Sequence, residues 1–448
     1  MDTTNRELYS WDGSPSLGKT LPISIQHIFT MLAGNVAPAL IIAGAINLDP
    51  DKSLTLLQAS MLTAGVATLI QVLGLWKFGA RLPIIMGINF YFVPVVIGMA
   101  TDYGLAAMFG GTIVAGLITI AFGSFVRIIR DLFPAVVTGT TVLTIGISLF
   151  PVAISNMAGG SGAENFGSMQ NWAVAIITML VVVAVDQFGK GYIKVLGVMV
   201  GMVVGYLISL ALGMVDFSAV PGTPIFALPE FLPFGIEFNV GAIITLVIMF
   251  IITSIENIGD ISSTTIGGLD REATTDELSG GIMGNGLSSM IMALFGGLPT
   301  ATFSQNVGVV ALTKVVAKPI FVVAGILLLI TGFMPMFAQL MMTIPAPVIG
   351  GATISVFSVI TVNGIRLLHS VEMNNRNATI VGISLALGVG ITGVQGSIAG
   401  FPEAFQTFIG GSSVILAALT AFILNLVLPG RERVVEVEKT ETPESKVE

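Results

Sequence analysis

Two carboxylates, Glu256 and Asp260, stand four residues apart in the stretch Ile251-Ile252-Thr253-Ser254-Ile255-Glu256-Asn257-Ile258-Gly259-Asp260. That spacing puts both on one face of a helix. The run leading to them from Val240 is almost wholly apolar, which places Glu256 within or close to hydrocarbon. An ionised acid at the centre of a membrane helix costs about 2.5–3.5 kcal/mol even on insertion scales. Two on one face cost more. A proton carried part of the time by one of the pair relieves that cost, and such a proton is the requirement for proton coupling. Asp260 by itself also fits a helix end beside a polar loop.

A second polar patch, Ser304-Gln305-Asn306, follows Phe303 and precedes Gly308, Thr313 and Lys314. Each amide offers one acceptor group and two donors. Amides at bilayer depth are tolerated mainly where they line a cavity or meet a ligand. A carboxylate and an amide facing one another suit a planar heterocycle with alternating N–H and C=O groups. The acid accepts a ring N–H and the amide reads the neighbouring edge, so analogues lacking a partner are rejected. Phe90 and Phe303 flank these positions and could stack on a flat ring, although most of the 27 Phe must serve lipid contact or core. His27, next to Gln26 in the first hydrophobic segment, is read equally as a packing residue or as part of the site. Asn35, two turns on, equally joins helix to helix.

The elements that must hold these residues are membrane helices. The chain has 448 residues, 54% of them hydrophobic and 10% charged, with a mean hydropathy of +0.94. Soluble domains carry roughly 25% charged residues, so this chain cannot cover a water-facing surface and belongs in lipid. At about 20 apolar residues per crossing, spans are predicted at 21–46, 54–76, 105–126, 132–156, 171–188, 192–215, 239–261, 279–297, 319–342, 344–362, 379–398 and 413–429. Two shorter runs, 82–100 and 298–316, are broken by Pro, Gly and amides, bringing the count near fourteen. In each broken run, β-forming residues (Ile84 and Ile85; Thr300 to Phe303) lead into a polar residue and a short apolar stretch, which predicts a short strand followed by a half-helix.

An internal repeat supports that pairing. Pro134-Ala135-Val136-Val137-Thr138-Gly139 matches Pro345-Ala346-Pro347-Val348-Ile349-Gly350 at four of six positions. Leu82-Pro83 precedes Asn89 as Leu298-Pro299 precedes Gln305. Two halves of seven segments make an inverted repeat, and paired interrupted segments point to a transporter binding site. With Lys19 inside, the inside loops carry Lys77, Arg81, Arg127, Arg130, Lys190, Lys194, Arg271, Lys314, Lys318, Arg366, Arg376 and Arg431, and the outside loops only Lys52. Both termini are therefore expected in the cytoplasm. The polar N-terminus lacks the order of a cleaved signal peptide, and the polar tail 431–448 reads as disordered.

Other chemistries lack their residues. There is no cysteine and only His27 and His369, so no thiolate or histidine metal cluster is expected. No phosphate-binding loop, nucleophile elbow or zinc-protease motif occurs, and no basic patch suggests nucleic acid. The chain is read as no enzyme and as needing no cofactor beyond a co-transported proton.

Four motifs together resemble the nucleobase–ascorbate transporter family: Gln26-His27, Gly87-x-Asn89-Phe90, Glu256-x-x-Gly259-Asp260 and the signature Gln305-Asn306-x-Gly308 closing on Thr313-Lys314. The resemblance spans the whole membrane region. It implies an all-α membrane protein of fourteen segments as a seven-plus-seven inverted repeat, with short antiparallel strands in segments 3 and 10. It implies a core domain, 21–126 and 239–342, moving elevator-like against a gate domain, 132–215 and 344–429. A cytoplasmic tail, 1–20, precedes these and the tail 431–448 follows. A homodimer in the cell (inner) membrane is also implied. Carried over, Glu256 and Gln305 are the principal ligands of a nucleobase. Backbone groups at Phe90 and Ser304 add hydrogen bonds and Phe303 stacks. Asn306 supports the site from behind, and His27 and Asp260 tune the protonation of Glu256. Gln305 at the first signature position resembles xanthine and urate carriers, where Glu is usual for uracil. Asn89 departs from the Ser or Thr usual before the Phe. Proton-coupled purine import is the leading expectation. A uracil carrier, sodium coupling, and an anion carrier or channel of the same fold are the alternatives, the last opposed by Glu256.

Overall fold

The computed structural model describes residues 9–125, 134–394, 396–402, 406 and 412–429. The expected tail 431–448, residues 1–8 of the expected tail 1–20, and Arg127, Arg130 and Arg431 of the charge distribution lie outside these residues. The described chain is mostly helix. In order it forms α1 (Leu17–Ala45), α2 (Pro50–Leu73), β1 (Met86–Ile88), a 3-10 turn (Phe90–Phe92), α3 (Val93–Asp102) and α4 (Leu105–Gly123). Then come α5 (Ala135–Met157), α6 (Met169–Phe188), the one-turn α7 (Tyr192–Val195) and α8 (Gly197–Ala211). The second half has α9 (Val240–Leu269), α10 (Thr275–Ala293), β2 (Thr300–Thr302), α11 (Ser304–Thr313), α12 (Lys318–Gly332) and α13 (Pro335–Met342). It closes with α14 (Ala346–His369), α15 (Asn375–Gly393) and α16 (Ser413–Val427).

Among the described residues, seven helices are long and apolar enough to cross a membrane by length and composition: α1, α2, α4, α5, α6, α9 and α14. The single span expected over 319–342 is broken instead: α12 and α13 meet at 80°. Pro335 begins α13; proline has no N–H to continue a ladder, and its ring collides with the preceding turn. The span expected at 239–261 continues to Leu269, where Asp270 turns to φ 54° and caps it. Asp260 therefore lies inside a helix, not at the loop that its sequence position also allowed.

The two strands pair antiparallel, Met86 with Thr302, Gly87 with Ala301 and Ile88 with Thr300. A further bond from Phe303 N to Ile85 O (3.0 Å) extends the contact. Pairing starts later than Ile84, whose N–H is turned back onto Leu82 O. Both strands are buried, and a two-stranded sheet has two open edges. In a dry interior each edge donor needs a partner, and helix side chains supply them in mirrored fashion. Ile88 N donates to Asn35 Oδ1 of α1 (2.8 Å), and Met86 N to Thr68 Oγ1 of α2 (3.0 Å). Thr302 N donates to Asn257 Oδ1 of α9 (3.0 Å), and Thr300 N to Ser289 Oγ of α10 (3.3 Å). In both halves the third strand residue bonds the first helix and the first bonds the second helix. Asn35 also donates to Ser60 O of α2, so it does join helix to helix.

Packing partners fall into two sets. α2 packs on α12, and α4 on α9 and α10; separately, α5 packs on α14, α6 on α8 and α14, and α15 on α16. The α4–α10 crossing brings the backbones together: a Cβ on Gly116 would stand 2.7 Å from Gly286 O, and one on Gly286 the same distance from Gly116 O. Only hydrogen fits, as in close helix contacts within lipid. The sets meet where Ala33 of α1 packs with Met202 of α8 and Val348 of α14. Lys52 donates to Pro233 O (2.7 Å) and lies 3.9 Å from Glu230, which puts the sole predicted outside cation beside the predicted outside loop.

Candidate functional site

A cavity of about 240 Å³ opens where both strands hand over to helix. On one wall stand Phe90 and Tyr91, which open the 3-10 turn after β1, and Phe303, Ser304 and Gln305, the first residues after β2, with Glu256 and Thr302 beside them. The facing wall comes from α6, α7, α8 and α14 and includes Asp186, Lys194, Ser355 and Asn363 among valines and isoleucines. Drug-sized pockets span about 300–1,000 Å³, so this volume suits one small ring system. Asn89 caps the 3-10 turn and Phe303 occupies the cap position of α11. The first N–H groups of a helix have no intrahelical acceptor, and its N-terminal end is partially positive. Backbone at Phe90 and Ser304 is thus suited to a carbonyl edge.

Glu256 is held from the β1 side. Asn89 Nδ2 donates to Glu256 Oε2 (2.8 Å) while Asn89 Oδ1 accepts from Tyr91 N (2.8 Å). The phenol of Tyr91, a buried residue, is directed at the same carboxyl. Asp260, one turn further along α9, serves the β2 side. Its Oδ2 accepts from Ser304 Oγ (2.9 Å) and from Thr302 Oγ1 (2.6 Å). Thr302 Oγ1 also lies 3.0 Å from Asn257 Oδ1; having a single hydrogen, it donates along the shorter contact. One helix face therefore carries both an acid held from the β1 side and an acid that holds the β2 side.

The rings are positioned by backbone. Phe303 lies against the bare Cα atoms of Gly34 and Gly87: a Cβ on Gly34 would meet its Cε1 at 2.7 Å, and one on Gly87 would run into its Cε2. Phe90 meets Phe357 of α14 edge-on, centroids 5.5 Å apart at 76°. Gln305 and Ser304 are exposed toward the cavity.

His27 and Asn306 are not in the lining. Asn306 Nδ2 donates to His27 O (2.9 Å) and lies 3.1 Å from His27 Nδ1. That bond makes Nδ1 the acceptor and leaves the ring proton on Nε2, beside Phe321. The pair pins α11 to α1 behind Phe303, so the direct partner of His27 is Asn306 and not Glu256. In the signature, Lys314 pairs with Asp270 (2.6 Å), joining the ends of α11 and α9. Thr313 Oγ1 bonds within the last turn of α11. Nothing in the structure crowds Gly308.

Sequence reasoning did not single out Tyr91, Asn257, Asp186, Lys194, Ser355 or Asn363 as site residues. Asp186 left a usable trace, a charge inside an apolar run. Asn257 sits directly beside Glu256, an amide next to the acid in the same membrane helix.

A multi-helix membrane chain that gathers an acid, amides and aromatic rings at the heads of two half-helices has the makings of a transport protein. The chain belongs to the permease family: residues 18–396 match the family model Xan_ur_permease, described as "Permease family". It is similar to the uric acid permease PucJ of Bacillus subtilis (strain 168), 34% identical over 95% of this chain and 96% of that protein. It is similar also to the xanthine permease of the same organism, 34% identical over 92% and 94%. Among solved structures, the transmembrane domain of the cyanobacterial bicarbonate transporter BicA shares the fold, with TM-score 0.56, 16% identity, and 91% and 97% of the two chains covered. SLC26A9 does so at TM-score 0.58 and 11% identity, over 92% of this chain and 66% of that one.

Proposed function

We propose that this chain is a nucleobase permease that carries oxidised purines such as xanthine or urate in symport with protons. The observation that carries this reading is one small cavity holding Glu256, Gln305, Phe90, Phe303 and Ser304 together. Relatives named as uric acid and xanthine permeases, similar over nearly the whole chain, support it. Glu256 accepts a ring N–H, Gln305 reads the adjoining edge, and backbone at Phe90 and Ser304 meets carbonyl oxygens. Phe303 lies against one face of the ring. Asn89 and Tyr91 orient Glu256, Asp260 orients Ser304, and the His27–Asn306 pair holds α11 in place. Proton transfer at Glu256 links base binding to the gradient.

In this reading the helices and strand-headed pieces make fourteen segments in a seven-plus-seven inverted repeat. The set built on α1–α4 and α9–α13 is a core that moves elevator-like against a gate of α5–α8 and α14–α16. The protein works as a homodimer in the cell membrane with both termini in the cytoplasm.

The test is uptake into proteoliposomes with an imposed inward proton gradient. Labelled xanthine and urate accumulate with the native chain, and Glu256→Gln loses the gradient-driven component. Gln305→Glu weakens xanthine competition by roughly tenfold, the worth of one good hydrogen bond, while folded protein is still recovered. Sulfate uptake indifferent to Glu256→Gln, without purine uptake by the native chain, defeats the reading.

A further inference from the structure

The proposed base-binding groups all lie on one wall of the cavity, yet the facing wall carries charge that nothing above uses. Lys194, on the one-turn helix α7, lines the same cavity as Glu256 and is the one cation among its described lining residues. Asp186 lines it too, near the end of α6.

Each acid at the cavity has a local donor or backbone seat. Glu256 takes Asn89, and Asp260 takes Thr302 and Ser304. Asp186 Oδ1 rests where a Cβ on Gly197 would be, against the start of α8. Lys194 is within electrostatic reach of Asp186, but it is absent from the described ion pairs, which are Lys52–Glu230, Arg271–Glu277 and Lys314–Asp270. It is exposed, on a flexible stem that can swing an ammonium group into the cavity.

A cation in this place changes which bases fit. Urate has lost a ring proton at neutral pH and is an anion, whereas hypoxanthine and uracil are neutral. An anionic base facing Glu256 meets a like charge unless an opposite charge stands across from it. We propose that Lys194 is a specificity-determining residue that favours anionic oxidised purines, urate first, over neutral bases. The inference rests on the nucleobase reading above. Asp186 seats the turn that presents Lys194, and electrostatic complementarity of this kind sets selectivity more than total affinity.

Competition against labelled xanthine uptake at pH 7.5 tests it, with urate and hypoxanthine as competitors. Lys194→Gln raises the inhibition constant of urate about tenfold, one charge-assisted contact, and leaves that of hypoxanthine within about twofold. Lys194→Arg keeps urate preference. Equal weakening of both bases, or no change for either, overturns the proposal. So does recovery of urate preference in the double variant Lys194→Gln with Asp186→Asn, since Lys194 would then serve only to neutralise Asp186. Native protein that takes up no base at all sinks the nucleobase reading itself, a result separable from each of these.

Discussion

At the scale of single residues, α9 does two jobs within one turn. Glu256 keeps its carboxyl at the cavity under Asn89 and Tyr91, while Asn257 and Asp260 hold β2 through Thr302. Thr302→Val therefore removes the shorter of Asp260's two hydroxyl bonds and leaves Asn257 only the backbone N–H of Thr302. The expected loss is about 1–3 kcal/mol, the cost of leaving buried polar groups short of partners. A thermal melt in detergent reads this, and an unchanged melting temperature would mean that water replaces the hydroxyl. The acid pair and the amides were legible in the sequence because charges and amides are conspicuous in an apolar run. The i, i+4 spacing treats both acids alike, and it was the apolar run before Glu256 and the family resemblance that singled it out; the partners that hold each acid were not legible. Only the placement of β2 directs Asp260 to Ser304 and Thr302 and leaves Glu256 to Asn89.

At the scale of elements, the site depends on two three-residue strands whose edges are closed by helix side chains. β-forming residues ahead of a polar position foretold strand and half-helix, but not where pairing begins. That is decided by Asn35, Thr68, Asn257 and Ser289, which come from four helices remote in sequence. Gly87 shows how tightly the strand bears on the site. In Gly87→Ala the added methyl runs into the Phe303 ring and sits 2.7 Å from Asn35 Oδ1. Overpacking of this kind costs about 1–3 kcal/mol. Because the displaced ring is the proposed stacking face, purine affinity measured by calorimetry falls more than stability does. Affinity retained at the native level, with only the melting temperature lowered, would remove Phe303 from the ligand's surroundings. The break between α12 and α13 was hidden for a different reason. Residues 319–342 are apolar throughout enough of their length to read as one span, and hydropathy carries no information on direction.

At the scale of the whole molecule, the two packing sets meet along α1, α8 and α14, with the cavity between them. If one set slides on the other during transport, bridging them arrests it. The chain has no native cysteine, so Ala33→Cys with Met202→Cys, joined by a short bis-thiol reagent, gives a clean bridge from α1 to α8. Cross-linked protein is expected to bind purine and lose uptake, with activity returning on reduction of a cleavable linker. Full uptake in the bridged state would exclude relative motion of these helices as part of the cycle.

Composition and pattern by themselves determined the solvent, the helical class, the two interrupted segments and the polar residues that could meet a ligand. These follow from transfer free energies and local propensities, which act residue by residue and survive in a linear string. Tertiary structure alone decided which wall each polar group faces, that His27 spends its hydrogen bond on Asn306, and that Asp186 and Lys194 share a cavity with Glu256. Those facts depend on distances between segments brought together by packing, and no local preference encodes such a distance.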